Sequence, residues 1–408
     1  MNKIFSLLTI ALLVVSVMPV VLAVSVGTGV TPDIVTEDFA PLVWLCDHRV
    51  VYDDQTEPGR LFHDDEYGEC DYDESHPLYI SECLSPNRCD KITTRIECEQ
   101  RGGEWTPSEL YERINNYAFE GEKISWKVLV MDKNKIDQNI DVYATIGDVQ
   151  GEGNDIEVNC ERSDYDPERI PYSCNARIQE EELRYFNDDL MSFFECTFTV
   201  ETPESMYGEY WLTVEAQDGD GLMGTMDENE YWFLNPVVAL SIQGDLTFEE
   251  VRPGTDAYSS TLLVGNDADD GSGVLLDMFI SGTDFYDSSS SGARCPTTNQ
   301  LGLSAFRYYV VNGAYNSAQD EEFDPVNGDR DTDAEGYLNI DYGIGFNDPQ
   351  PFYDNMEILQ APNIAGPYYP ANILAPGAEM AITFKLSLPE PCNGDFDTGS
   401  IYFWGEAI

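Results

Sequence analysis

Residues 327–336 read NGDRDTDAEG, with Asp329, Asp331, Asp333 and Glu335 at every second position and Gly336 closing the run. Four carboxylates in seven residues repel one another unless a cation lies among them. Hard cations such as calcium take six to eight oxygens, often from alternating acidic side chains in a tight loop closed by glycine. Asp331, Asp333 and Glu335 match the first half of such a loop. The twelfth position is Tyr342, where a bidentate glutamate is expected, with Asp341 beside it. Shorter acidic turns occur at DADDG (Asp267, Asp269, Asp270) and DGDG (Asp218, Asp220). Together they make Ca2+ the expected cofactor, and DGDG is expected near a domain junction. A solvated acidic turn is the competing reading at each site.

The rest of the chain sets the setting for these acids. Its 76 acidic and 21 basic side chains give a formal charge of −55, and the excess is spread along the sequence. Such a surface repels nucleic acid and anionic lipid, and suits high salt or divalent cations. The N-terminus, MNKIFSLLTIALLVVSVMPVVLA, has a basic start, an apolar run and a small final residue. It reads as a signal peptide over 1–23, cleaved after Ala23. No later stretch is apolar for long enough to span a bilayer, so a secreted or cell-surface location is expected, with no membrane span in the mature chain. The ten cysteines then read as disulfides. Cys295 and Cys392, the only two beyond residue 196, are natural partners. Pairing among Cys46, Cys70, Cys83, Cys89, Cys98, Cys160, Cys174 and Cys196 stays open.

Catalytic signatures are missing from the sequence: it holds no HExxH, GxSxG, phosphate loop or dinucleotide fingerprint. All three histidines (His48, His63, His76) fall in the cysteine-rich part, at spacings that match no standard zinc site. No enzyme is expected. A secreted glycoside hydrolase would need two carboxylates assembled in space, which leaves no spacing signature. Tyrosine pairs such as Tyr308-Tyr309 and Tyr368-Tyr369 could stack on sugars or pack in a sheet. No Asn-x-Ser/Thr sequon occurs.

Segments of the following kinds must position these residues. Residues 24–106 are a polar lead and an acidic cysteine-rich segment, with a short helix expected near 92–101. From 107 to 236 the apolar period is two, as in EKISWKVLVMD, NIDVYATIG, FECTFTVE and GEYWLTVEAQ, which predicts half-buried antiparallel strands. Leu183, Phe186 and Leu190 have helical spacing between them. From 237 to 408 a second series of short strands ends in SIYFWGEAI. The expected fold is all-β: two tandem immunoglobulin-like β-sandwiches with a disulfide-rich N-terminal insertion or subdomain.

Residues 246–285, through Leu246, Phe248, Val251, Pro253, Gly254, Asn266 and Ile280–Asp284, resemble the immunoglobulin-like domains of exported archaeal and bacterial cell-surface (S-layer-type) proteins. The resemblance implies an extracellular structural or adhesive module and carries no catalytic residues. The expectation is a non-enzymatic coat or filament subunit that assembles with itself or with another cell-envelope protein or glycan. A carbohydrate- or partner-binding adhesin is the alternative, and the hydrolase a second one. The exposed edge of a terminal strand such as SIYFWGEAI offers a way to join subunits.

Overall fold

The structure, a computed structural model, describes residues 38–408 apart from 53–61, 64–66, 72–94, 101, 108–109, 112, 137–139, 151–152, 179–182, 290–291, 320–331, 343–355 and 363–367. Phe39–Ile408 forms one compact unit. It is nearly all β, with two tandem immunoglobulin-like sandwiches and no helix long and apolar enough to cross a membrane among the described residues.

The first sandwich is one ten-stranded sheet curled on itself. Its main strands are β1 (Leu42–Tyr52), β2 (Tyr117–Ala118), β3 (Lys123–Met131), β4 (Asp141–Gly147), β5 (Ile156–Arg162), β6 (Met191–Thr199), β7 (Gly208–Gln217), β8 (Met223–Thr225) and β9 (Tyr231–Leu234). The path runs β1-β3-β6-β5-β4-β7-β9-β2, antiparallel except for the parallel pair β9-β2. Alternation along the strands explains the curl. Ile124, Trp126, Val128 and Val130 of β3 share a core with Ala144, Ile146, Leu212 and Val214 of the opposite half.

Strand β1 lies upstream of residue 107, inside the cysteine-rich part of the sequence, yet pairs with β3 along nearly its whole length. A second layer covers the outer face of β1, β3 and β6. Trp44, Leu129, Met131 and Phe193 pack there with Ile170, around the Cys46–Cys174 disulfide. Strand β3 is therefore buried on both faces, not half-buried as its alternation predicts. The helix expected around Leu183–Leu190 is not formed. These side chains pack on the same layer from turns closed by bonds such as Leu190 N–H to Asn187 C=O, 2.9 Å. The short helices are α1 (Arg95–Gln100) and α2 (Tyr172–Asn175). The Cys70–Cys98 disulfide joins α1 to a small hairpin, and Cys160–Cys196 bridges β5 to β6. Cys83 and Cys89 lie outside the described residues.

In the second sandwich, β10 (Leu240–Gln243), β11 (Asp256–Asn266), β13 (Phe306–Asn312) and β14 (Glu379–Ser387) form one sheet in the order β10-β11-β14-β13. Facing it, β12 (Leu276–Gly282) lies between the short strand Ile373–Leu374 and β15 (Ile401–Ala407). Val264, Ile280, Tyr308, Val310, Ile382 and Phe384 fill the core between them. Cys295 and Cys392 form a disulfide.

The two sandwiches meet end to end. Tyr117 O–H donates to the Ile408 carbonyl, and Tyr231 O–H donates to that of Gly271, 3.1 Å. Asp269 accepts from Tyr207 O–H and from Val237 N–H, both 2.9 Å, tying the connecting segment to both sides.

Candidate functional site

The acidic turn that opens the sequence argument is half visible: Asp329 and Asp331 lie outside the described residues. Asp333 and Glu335 close on a cation that the chain itself supplies. Lys385, on the central strand β14, places its Nζ 3.0 Å from Asp333 Oδ2 and 3.0 Å from Glu335 Oε2. Asp256 Oδ2 is 3.4 Å away. The turn is shaped for this. Asp333 Oδ1 accepts the backbone N–H groups of Glu335 and Tyr337, both 2.9 Å. Gly336 takes a left-handed φ of +87° where a Cβ would sit 2.6 Å from that of Ala318. Tyr258 O–H adds a hydrogen bond to Glu335, 2.8 Å, and the Tyr337 ring covers the ammonium at 5.7 Å.

Charges follow this geometry. Burial pushes the Asp333 carboxyl up, but the Tyr337 N–H, the Lys385 ammonium and the Glu335 N–H outweigh it and hold the group below the usual range. Glu335 is lowered by its hydrogen bond from Lys385 and then by that from Tyr258. Burial alone would depress Lys385, and the two carboxylates reverse that and raise it.

The other acidic turns are built differently. Asp218 Oδ1 accepts from Asp220 N–H (3.0 Å) and Leu222 N–H (2.8 Å), closing the turn between β7 and β8. That turn lies at the end of the first sandwich away from the junction, because β8 pairs with the Glu215–Gln217 end of β7 while Gly208 pairs with Leu234 at the other end. DGDG is thus not at the hinge. Asp269 holds that place, with Asp267 and Asp270 exposed or half-exposed beside it. Among the described residues no three His, Cys, Asp or Glu side chains converge in a way that could hold a metal ion. His48 is buried between the rings of Tyr67 and Tyr111, at 4.7 and 5.5 Å. His76 lies outside the described residues.

Of the tyrosines singled out by sequence, Tyr308 is core: it is fully buried and donates to the Ile358 carbonyl, 2.8 Å. The exposed aromatics lie elsewhere. Tyr402 and Trp404 project from β15 on the outer face, 6.2 Å apart, and the Trp404 indole N–H is pinned to Ser281 Oγ, 3.2 Å. Tyr342 flanks the Gly282 end of β12 from the opposite side and donates to Asp284, 2.7 Å. Alternation along SIYFWGEAI carries this information, since it sends Ile401 and Phe403 inward and Tyr402 and Trp404 out.

Strand β15 has a neighbour on one side only. The bonds Thr283 N–H to Ser400 C=O (2.9 Å) and Ile408 N–H to Leu275 C=O (3.0 Å) set the phase of its ladder. Even-numbered residues bond to β12, so the N–H and C=O groups of Phe403 and Gly405 point to the open side. Near Gly405 the two sheets close, with Leu240 against it. Toward Ile401 they part over an open cleft of about 670 Å³. Leu246, Phe248, Val251, Phe285, Phe306 and Leu386 line it, and Asp395 and Asp397 stand at it. Backbone N–H and hydroxyl donors of Ser288 hold the Asp397 carboxyl below the usual range, opposite to what a general acid needs.

No family model matches the chain, and no curated protein sequence matches it. Among solved structures, the C-terminal domain of the Streptococcus agalactiae AgI/II polypeptide BspA is 10% identical, with a TM-score of 0.28 over 72% of this chain and 92% of that one. The collagen adhesin of S. aureus is 10% identical, with a TM-score of 0.15 over 72% and 84%. A secreted serine protease of Vibrio cholerae, VesC, is 8% identical, with a TM-score of 0.16 over 71% and 49%. Values this low carry no statement about role.

Proposed function

We propose that this chain is a non-enzymatic, exported cell-surface structural subunit that assembles with its own copies into a coat or filament, with divalent cations screening the acidic faces between them. One observation carries the reading: β15 ends its sheet with a free edge, and Glu406 is the only charge in the seven-residue strand. Proteins that stay monomeric blunt such edges with lysine, proline or bulges, and β15 has none of these. Export follows from the signal-like N-terminus and is consistent with the disulfides. The test is sizing by light scattering and negative-stain microscopy of the disulfide-intact mature protein, first with millimolar calcium and then with chelator. Large ordered particles that dissolve on chelation are expected. A monomer in both, with an unchanged melting temperature, overturns the reading.

A second reading, a glycan-binding adhesin, is favoured by the exposed rings of Tyr342, Tyr402 and Trp404 beside the Asp284 carboxylate. Aromatic faces with nearby acceptors suit sugar rings and their hydroxyls. This reading expects a monomer whose glycan binding is lost in Trp404→Ala, measured on a glycan array.

A further inference from the structure

We propose that the cleft beside β15 is the seat of a strand from the next copy of this chain, supplied by residues 24–30. The proposal rests on the self-assembly reading and names its contact.

The receiving site shows two features of a sandwich that lacks one strand. Its backbone edge is open at Phe403 and Gly405, with donors and acceptors directed outward. Beside that edge the core itself is exposed: Phe306 and Leu386 belong to the buried cluster of the second sandwich and also form the wall of the cleft. An added strand would satisfy the edge groups and seal the apolar wall in one step. A small molecule would do only the second.

The occupant is chosen by pattern, charge and reach. Residues 24–32 read VSVGTGVTP. Val24, Val26, Thr28 and Val30 share one strand face, while the other carries only Ser25, Gly27, Gly29 and Thr31. The bulky face suits the cleft, and the small face leaves room beside Tyr402 and Trp404. Pro32 ends the pairing, since it has no N–H to give. The segment has no charged side chain, so it brings no carboxylate to Asp395 and Asp397 in a chain of charge −55.

Reach selects a neighbouring copy. The chain enters the first sandwich at its outer end, where Phe39 N–H bonds to Asn134 Oδ1 (2.8 Å) and Leu42 pairs with Met131. The cleft is at the outer end of the second sandwich, by the Ser387 end of β14. Two sandwiches lie between, their long strands of nine and eleven residues spanning roughly 65 Å together at about 3.3 Å per residue. Residues 31–38 stretch to at most about 28 Å. The segment cannot line the cleft of its own chain, but it can line that of a copy stacked in front. Entry point and cleft at opposite ends make the contact head-to-tail, and such a contact propagates into a linear filament unless it closes into a ring.

Two variants of the mature chain test this by sedimentation velocity. Val26→Asp spoils the donor and leaves the cleft intact; Leu246→Glu spoils the cleft and leaves the donor intact. Each alone is expected to stay monomeric where the unmodified chain assembles. Mixed in equal amounts they are expected to form dimers and stop there, because only one productive contact exists. A synthetic peptide of residues 24–32 is expected to bind the Val26→Asp chain one to one by fluorescence anisotropy, at least tenfold more tightly than a peptide carrying the same Asp. The peptide arm stands if Leu246→Glu fails to fold. If Val26→Asp assembles like the unmodified chain, or the peptide does not bind, the contact is wrong while self-assembly survives. If the unmodified chain is monomeric throughout, both fall.

Discussion

The two sandwiches have similar strand chemistry and opposite treatment of their surfaces. In the first, the outer face of β1, β3 and β6 is covered by a second apolar layer tied down through Cys46–Cys174. In the second, β15 has an open edge and the core is reachable through a cleft. Cover stabilises a sheet, and an open edge exposes it to pairing with whatever strand arrives. The difference separates a part built to stay closed from a part built to receive.

Core truncation sharpens that contrast most. Trp126 is fully buried under the covered face, and Trp126→Ala is expected to cost about 3–5 kcal/mol. Phe306 is 5% exposed but forms a wall of the cleft. Its replacement by Ala extends a space already open to water, so the expected cost is below about 3 kcal/mol. Calorimetry of both variants checks the order. Equal losses would mean that the cleft is closed in solution.

A smaller effect is expected at the Lys385 clamp. Lys385→Met removes the cation from two carboxylates and is expected to cost about 1–2 kcal/mol, discounted because Glu335 is exposed. The pH dependence has a definite sign. Asp333 and Glu335 are lowered in the folded state, so their contribution is present above the usual carboxylate range and is lost as pH falls through their folded values. Lys385 is raised, so its contribution is full below its usual value near 10.4 and is lost only as pH rises beyond it. The window runs from about pH 4 to about pH 10. Chemical denaturation of the parent and of Lys385→Met across that range should give curves that converge at the acid end. A constant gap down to pH 2 would assign the loss to packing.

How much of this was legible in the sequence depends on distance along the chain. Alternation marks β3, β4, β6, β7, β11, β14 and β15, because facing and burial are set by neighbours two residues away. The double burial of β3 was not legible, since its cover comes from residues 42–46 and 165–193. Nor was the absence of a helix at Leu183–Leu190, where apolar spacing alone does not distinguish a helix from turns packed on a layer. The acid run at Asp329–Glu335 announces a cation, but nothing local says that Lys385, fifty residues from Glu335, supplies one. Likewise DGDG has the look of a hinge element by its position before Asn235, and pairing of β8 back onto β7 carries it to the other end.

The smallest effect tests whether the closed and the open part move as one body. Asp269 accepts from Tyr207 O–H of the first sandwich and from Val237 N–H of the connecting segment. The Tyr207 hydroxyl is raised by its hydrogen bond to Asp269 before any other cause, the direction expected when a phenol donates to a carboxylate. Asp269→Asn keeps an acceptor but drops the charge, and is expected to cost no more than about 1 kcal/mol because both bonds are solvent-exposed. Its larger consequence is geometric. If the head-to-tail contact transmits orientation from one copy to the next, loosening this junction should leave subunit affinity unchanged and shorten the persistence length of filaments measured by negative-stain microscopy. Filaments as stiff as those of the parent would assign the rigidity to the Tyr117–Ile408 contact instead.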